Sequence, residues 1–211
     1  MRTLICIDRD GVLIYDEKFY LGRTDGWKKK VSLLPTVVEG IKLLRRISAV
    51  SVYMITNQPG VAIKDFPELT LERAHEVCAF VMEMLADEGA ELDGYYLCAH
   101  ADPGYAERHG EYEFEKSLVC ECECIKPRLG MVFDALKREG LTRENTKVFI
   151  IGDRASDMQT ALNVQGKGIL VPFEGEPGQI EKVRRMEGIL IAKDFKEAAG
   201  WIRELSLDED R

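Results

Sequence analysis

The sequence of 211 residues lacks long apolar runs and lacks any sign of an N-terminal leader. No stretch approaches the roughly 18 consecutive apolar residues that a membrane-spanning helix needs. Residues 1–6 run directly into a polar motif, without the cleavage pattern of a secretory signal peptide. These absences predict a cytoplasmic protein that does not use a membrane as a partner.

An excess of positive charge is also missing. The chain has 29 Lys and Arg residues against 37 Asp and Glu residues, which gives a formal net charge of −8. Nucleic acids and anionic lipids are bound by clustered basic side chains, because these release counterions from the phosphates. The composition therefore argues against nucleic acid as a partner, and any bound anion must be held by a few local groups.

Internal repeats and low-complexity linkers are absent as well, which favours one core over a string of units. Because 45% of the chain is hydrophobic, residues 1–206 are predicted to form a single domain, as a monomer or a small homo-oligomer. The charged tail at residues 207–211 is expected to fray.

Short apolar runs that end abruptly in polar sequence predict buried parallel strands. They lie at residues 3–7, 50–55, 95–98, 148–151 and 169–171. Amphipathic stretches predict helices, with Pro35 in one first turn and Thr70 as one N-cap. These helices are expected at residues 35–47, 70–88, 129–139 and 155–164. The alternation predicts a doubly wound, Rossmann-like α/β fold with a central parallel sheet, in which ligands bind beyond the carboxyl ends of the strands.

Asp8, Arg9, Asp10 and Gly11 come directly after the first predicted strand. Once the chain leaves the strand, one carboxylate can act as a nucleophile while the other transfers protons. Gly11 permits the turn that this arrangement needs. Taken alone, the motif is equally typical of an acidic turn.

Thr56 and Asn57 follow the second predicted strand, and Lys126 stands before Pro127 at the entry to a predicted helix. A hydroxyl group and backbone N–H groups at a strand end can bind phosphate oxygens. A lysine ammonium group can neutralise charge on a phosphoryl group during its transfer. Taken separately, the first pattern is common in turns and a single lysine is usually solvated.

Asp153 emerges at the end of the fourth predicted strand, and Asp157 lies one turn into the following helix. Both carboxylates could face a magnesium ion or its waters. The alternative for either residue is that it caps the helix. Arg154, between them, is either a contact for a substrate anion or an exposed residue of the first helical turn.

These four motifs, in this order and each at a strand end, resemble those of the haloacid dehalogenase superfamily of phosphotransferases, over residues 4–171. The resemblance implies a magnesium-dependent phosphatase in which Asp8 is the nucleophile and carries a transient phosphoryl group. It implies that Asp10 protonates the leaving oxygen and then activates water. The magnesium ligands that it implies are Asp8, the backbone carbonyl group of Asp10, and Asp153.

The same resemblance assigns the binding of the phosphoryl group to Thr56 and Lys126. Asn57 and Arg154 are expected as further contacts to the substrate. A non-enzymatic receiver domain also has alternating strands and helices and an aspartyl-phosphate. Its acceptor, however, follows a central strand, where this chain has Thr56 and Asn57 instead of an aspartate.

Four of the six cysteines crowd one segment of the chain, together with a histidine. Cys98 with His100, and Cys122 with Cys124, form two ligand-x-ligand pairs suited to a closed tetrahedral zinc site. In the expected compartment this clustering favours a metal over disulfides. Reduced cysteines without a metal are the alternative, and Cys120 and His109 are possible substitutes among the ligands. Cys6 and Cys78 lie on apolar faces and are expected in the core.

The order of these pairs before Lys126 is similar to a narrower group of the superfamily, which includes D-glycero-D-manno-heptose bisphosphate phosphatase and histidinol-phosphate phosphatase. In that group zinc orders a loop, here residues 98–125, in an enzyme without a large cap domain. Ile125 stands where an arginine is usual, and the acidic loop is longer than expected. Arg154 could partly compensate for the missing arginine.

The resemblance implies a small-molecule phosphate ester as substrate. A sugar phosphate or bisphosphate such as D-glycero-D-manno-heptose 1,7-bisphosphate is favoured, and histidinol phosphate is the alternative. A non-enzymatic alternative is a zinc-dependent binding module built on Cys98, His100, Cys122 and Cys124. The net negative charge and the four ordered motifs disfavour it.

Overall fold

The computed structural model describes residues 1–15 and 20–207. Its centre is an all-parallel sheet of six strands in the order β3-β2-β1-β4-β5-β6. The strands are β1 Arg2–Ile7, β2 Val50–Asn57, β3 Gly94–Cys98, β4 Thr146–Gly152, β5 Lys167–Leu170 and β6 Ile189–Ile191. The predicted doubly wound α/β fold is therefore confirmed.

Seven α-helices are present in the described part of the chain. They are α1 Val37–Leu44, α2 Leu71–Asp87, α3 Pro103–Arg108, α4 Gly130–Arg138, α5 Ala155–Asn163, α6 Gln179–Val183 and α7 Phe195–Leu207. Short 3₁₀ helices occur at Trp27–Lys30, Pro59–Ala62, Lys116–Leu118 and Arg143–Asn145. Within the described residues, no helix is long and apolar enough to cross a membrane.

The sheet is covered on both faces, because successive side chains of a strand point to opposite sides. In β1, Ile5 and Ile7 pack in a core with residues of α1, α2 and α7. Leu4 and Cys6 pack on the other face, with residues of α4 and α5. Cys6 and Cys78 are both buried, as the sequence predicts. Burial on both faces explains why these strands read as continuous apolar runs.

Start signals were predicted for two of the helices, Pro35 and Thr70, and the structure supports one of them. The Thr70 side chain accepts a hydrogen bond from the Arg73 backbone N–H group at 3.1 Å, so it caps α2 as predicted. Pro35 does not lie in a first turn: Thr36 has a φ of 67°, and α1 begins only at Val37. The left-handed residue between them separates Pro35 from the helix, so that prediction was wrong.

The C-terminal part of the chain contains more regular structure than the sequence predicts. Strand β6 and helices α6 and α7 were not predicted, although Phe195, Ala198, Ala199 and Ile202 are buried at helical spacing in α7. Leu207 was placed in the frayed tail, but it is the last residue of α7. The rest of the predicted tail, residues 208–211, lies outside the described residues.

The segment between Cys98 and Lys126, expected as a loop insertion, contains a helix that the sequence did not predict. Helix α3 opens it, where the Asp102 side chain accepts a hydrogen bond from the Tyr105 backbone N–H group at 2.9 Å. Two main-chain hydrogen bonds join the insertion to the segment after β2. Lys64 N–H donates to the Glu113 carbonyl group, and Glu115 N–H donates to the Ala62 carbonyl group, each at 2.8 Å.

Gly40 and Gly200 allow a matched test of how α1 packs against α7. An added Cβ at Gly40, inside α1, would collide with the ring of Phe195, whereas one at Gly200, inside α7, would meet nothing within 4 Å. A Gly→Ala change in a helix gains about 0.5–1 kcal/mol where there is room, and overpacking costs about 1–3 kcal/mol. We expect Gly200→Ala to raise and Gly40→Ala to lower the free energy of unfolding measured in urea. Stabilisation by both changes would contradict this packing.

Candidate active site

The carboxyl ends of β1, β2 and β4 lie side by side at the centre of the sheet. Asp8 follows the last residue of β1, and its backbone N–H group donates to the carbonyl group of Ile151 at 2.9 Å. Lys126, from the segment that precedes α4, reaches the same place. Its Nζ atom lies 2.8 Å from Asp8 Oδ1 and 2.6 Å from Asp157 Oδ1. All three side chains are buried, so these ion pairs are shielded from water.

Asp8, Asp153 and Asp157 form a cluster of carboxylates, in which one oxygen of each lies within 4.8 Å of the others. Asp153 is fully buried, and neither of its oxygens has a hydrogen-bond partner in the described structure. The guanidinium group of Arg154 is 4.0 Å away, measured from its Nε atom to Asp153 Oδ2. A buried carboxylate without partners is costly unless a cation lies beside it. The cluster therefore fits a hard divalent cation such as magnesium.

The pKa values of the cluster support this interpretation. Burial, together with the neighbouring carboxylates of Asp8 and Asp157, raises the pKa of Asp153 to about 9. Burial also raises the pKa of Asp8 to about 6, although Lys126 opposes this shift. The protein alone thus disfavours ionisation of Asp153 at neutral pH, and it makes ionisation of Asp8 less favourable than that of an ordinary aspartate. A bound cation would reverse that preference.

The predicted turn at Gly11 is found, and its geometry requires glycine. Gly11 has a φ of 75°, a backbone conformation that residues with a Cβ atom rarely adopt. A Cβ atom at this position would also lie only 2.5 Å from Asp153 Oδ2. Gly11 therefore lets the chain after Asp10 pass close to the buried carboxylate.

The Asp10 carboxylate is not a member of the carboxylate cluster, and it has partners that the sequence did not reveal. Arg9 Nε and NH2 donate to Asp10 Oδ1 and Oδ2, each at 2.9 Å, and Gln58 Nε2 donates to Asp10 Oδ2 at 2.8 Å. Arg9 is fully buried, and its NH1 group lies 3.6 Å from Cys78 Sγ. Two-point pairing of this kind fixes the orientation of a carboxylate.

Thr56 and Asn57 occupy the end of β2, as predicted, but each has a protein partner. Thr56 is fully buried, and its hydroxyl oxygen accepts a hydrogen bond from Gln58 Nε2 at 2.7 Å. The Asn57 side chain accepts from the Lys126 backbone N–H group at 3.0 Å and donates to the Lys126 carbonyl group at 3.2 Å. Asn57 therefore positions the lysine that contacts Asp8.

A cavity opens above these residues, and Arg154 lies at its wall. The cavity is lined by Asp8, Asp10, Asn57, Pro59, Tyr105, Lys126, Arg154 and Ser156. Arg154 forms an ion pair of 2.8 Å with Glu176. Its backbone N–H group donates to Asp157 Oδ2 at 3.1 Å. Asp157 thus caps α5, which is one of its two predicted roles, while its Oδ1 atom pairs with Lys126.

A second group of potential metal ligands lies in the insertion. One donor atom each of Cys98, His100, Cys122 and Cys124 lies within 4.8 Å of the others. The three sulfur atoms are 2.8–3.5 Å apart, and His100 Nδ1 is 3.5 Å from Cys124 Sγ. Three thiols and an imidazole that converge in this way suit a tetrahedral zinc ion. Cys120 and His109, the alternative ligands, are not members of this group.

Comparison with known proteins identifies the same family. A family model described as HAD-hydrolase-like matches residues 123–198. A D-glycero-beta-D-manno-heptose-1,7-bisphosphate 7-phosphatase of Photorhabdus laumondii is 33% identical over 157 residues, which cover 74% of this chain and 73% of that protein. The histidine biosynthesis bifunctional protein HisB of Blochmanniella floridana is 28% identical over 79% of this chain, which corresponds to 40% of that protein.

Among solved structures, D,D-heptose 1,7-bisphosphate phosphatase from B. bronchiseptica, complexed with magnesium and phosphate, is similar with a TM-score of 0.73. The two chains are 22% identical, with 96% of this chain and 99% of that one covered, so this likeness shows the fold. The sequence match to the Photorhabdus protein extends over most of both chains. The chain therefore belongs to the haloacid dehalogenase-like phosphatases, in the group that includes the heptose 1,7-bisphosphate 7-phosphatases.

Proposed function

We propose that this phosphatase hydrolyses a sugar phosphate or bisphosphate in the cytoplasm through a phosphoryl group carried by Asp8, with magnesium as cofactor. The observation that supports this proposal most directly is the unpartnered carboxylate of Asp153 beside Asp8 and Lys126. A buried nucleophile, a buried ammonium group and a site for a divalent cation are what phosphoryl transfer requires. Nucleic acid and membranes have no part in this function.

In the first step, an Asp8 oxygen attacks the phosphorus atom and the ester oxygen leaves on the opposite side. The attacking group is already oriented, because Asp8 Oδ1 accepts hydrogen bonds from Lys126 Nζ at 2.8 Å and from the Arg9 backbone N–H group at 2.7 Å. Lys126 provides positive charge next to the phosphoryl oxygens. The hydroxyl group of Thr56, at the end of β2, is proposed as a further ligand of these oxygens.

Asp10 is proposed to protonate the leaving oxygen in the first step. In the second step it removes a proton from the water molecule that attacks the phosphoryl group on Asp8. Arg9 and Gln58 hold the Asp10 carboxylate by three hydrogen bonds, so it stays at the cavity wall. We infer that Arg9 is a positioning residue, because it reaches the reaction only through Asp10.

The magnesium ligands that we propose are the carboxylates of Asp8 and Asp153 and the backbone carbonyl group of Asp10. When bound, the ion would supply positive charge opposite the phosphoryl oxygens. Asp157 contributes one oxygen to the same cluster and is proposed to act on bound water or on Lys126. The second oxygen of Asp157 is engaged with the Arg154 backbone N–H group.

Zinc is proposed to have a structural role at Cys98, His100, Cys122 and Cys124. Four protein ligands leave no open coordination position, which is typical of zinc sites that stabilise a fold. Ile125, next to Cys124, is buried in the core on the α4 side of the sheet. The zinc ligands and Lys126 thus lie on the same short piece of chain, which the metal would help to hold in place.

The choice of substrate comes from the relatives. The Photorhabdus relative is named for D-glycero-beta-D-manno-heptose 1,7-bisphosphate, and we propose this ester, or a related sugar phosphate, as the substrate. Histidinol phosphate is the second candidate, because a bifunctional protein of histidine biosynthesis matches most of the chain. Arg154, already at the cavity wall, is the proposed contact for a distal group of the substrate.

Asp8→Asn tests the nucleophile. An amide cannot form the aspartyl-phosphate, so we expect kcat for hydrolysis of an aryl phosphate with magnesium to fall by about 10⁴-fold or more. The protein should keep its melting temperature within a few degrees. Asp134→Asn, at an exposed position on α4, is the matched control and should leave kcat unchanged. Turnover by Asp8→Asn within tenfold of the parent would refute the assignment.

Arg9→Lys tests the positioning of Asp10. A lysine cannot donate to both carboxylate oxygens, so we expect kcat to fall about 10–100-fold with a smaller change in KM. The matched control is Arg45→Lys, which alters an exposed ion pair with Asp93 and should leave kcat unchanged. If both variants fold and have the same kcat, Arg9 does not act on Asp10.

Metal analysis tests the zinc site. Protein purified without chelators should contain about one equivalent of zinc, and the double change of Cys122 and Cys124 to Ser should remove it and lower the melting temperature. Cys120→Ser is the matched control, because Cys120 lies in the same insertion but outside the ligand group. Zinc-free protein, or loss of zinc in the control, would contradict the proposed ligand set.

A further inference from the structure

The insertion contributes one residue, Tyr105, to the wall of the active-site cavity. The other lining residues come from the segments after β1, β2 and β4, and from Lys126. Asp8, Asp10 and Lys126 surround the place where the phosphoryl group reacts. Tyr105 is the aromatic residue of this wall within the described structure, and it carries no charge at neutral pH. Its uncharged ring is therefore suited to contact a part of the substrate other than the phosphate group.

Tyr105 is held in place by a contact with a distant part of the chain. Its hydroxyl oxygen lies 2.7 Å from that of Tyr20, which precedes it by 85 residues. On its other side, the ring centroid of Tyr105 is 4.4 Å from that of His109. Burial and the bond to Tyr20 raise the pKa of Tyr105, so this hydroxyl group stays protonated.

Tyr20 does not line the cavity, and its own surroundings keep it fixed. Its ring packs 4.7 Å from Phe66 and 6.1 Å from Tyr112, measured between centroids, and the Arg23 guanidinium group lies 5.7 Å from its centre. Such aromatic contacts restrict the orientation of each ring. Tyr20 can therefore influence a substrate only through Tyr105.

We propose that Tyr105 determines specificity by contacting the carbon skeleton of the leaving group, and that Tyr20 positions it for this contact. This proposal rests on the proposed phosphatase function, and it identifies the residues that recognise the alcohol part of the substrate. The flat faces of Tyr105 and Pro59 suit the C–H groups of a sugar or polyol. Ser156 and Arg154, on the same wall, suit its hydroxyl groups.

The test compares two substrates in the same enzyme. One is acetyl phosphate, whose leaving group has no sugar skeleton. The other is the best substrate among D-glycero-D-manno-heptose 1,7-bisphosphate, fructose 1,6-bisphosphate and glucose 6-phosphate. The readout is the selectivity ratio, which is kcat/KM for the sugar ester divided by kcat/KM for acetyl phosphate. A loss of fold or of phosphoryl chemistry lowers both rates, whereas a loss of leaving-group contact lowers the ratio.

We expect Tyr105→Ala to lower the selectivity ratio at least about tenfold, mainly through KM for the sugar ester. Tyr105→Phe and Tyr20→Phe should each lower it about threefold, and the double variant should be no worse than either, because all three lose the same hydrogen bond. Tyr112→Phe is the matched control in the same aromatic cluster and should stay within twofold of the parent.

A ratio for Tyr105→Ala within twofold of the parent would overturn the proposal. Additive losses in the double variant would refute the link between Tyr20 and Tyr105. If the parent enzyme hydrolysed none of these esters, the proposed function itself would fail, and this outcome is distinct from an unchanged ratio.

Discussion

The site depends on the electrostatics of buried carboxylates at the end of the sheet. Asp8, Asp153 and Asp157 lie together where water is excluded, and Lys126 contacts two of them. Like charges so close in a medium of low polarity cannot all ionise without a counter-charge. The strand order brings these carboxylates together, because β1 lies between β2 and β4. The ionised carboxylates become stable only when cations are bound beside them.

The grouping of Asp8 and Asp153 could be predicted because each of them follows an apolar strand. A parallel sheet collects its carboxyl ends at one edge, so motifs separated by up to about 145 residues, such as those of Asp8 and Asp153, meet without any further information. The sequence could not reveal side-chain contacts between positions that belong to no common motif or spacing. Arg9 resembled a spacer between two aspartates, but it reaches Asp10 and Cys78. Gln58 directly follows Thr56 and Asn57 in the sequence, but only the structure shows that it donates to the Asp10 carboxylate.

Other differences between expectation and structure have local causes. No helix was predicted within the insertion, but Asp102 followed by Pro103 is a helix-start signal, and α3 begins there. Strand β6 is an edge strand of three residues, none of them fully buried, and its apolar run is no longer than the one that predicts a strand at residues 169–171. Thr36 adopts a left-handed conformation that is unusual for a β-branched residue, and therefore the start of α1 could not be predicted from Pro35.

The main-chain bonds that attach the insertion influence how such an enzyme can evolve. Its bonds to Ala62 and Lys64 are made by main-chain groups, which persist whichever side chains the insertion carries. Outside the proposed zinc ligands, mutations in it can therefore accumulate without detaching it and without altering the carboxylates beneath. A lineage could acquire a new preferred ester through exchanges at a position such as Tyr105 while inheriting its hydrolytic centre intact.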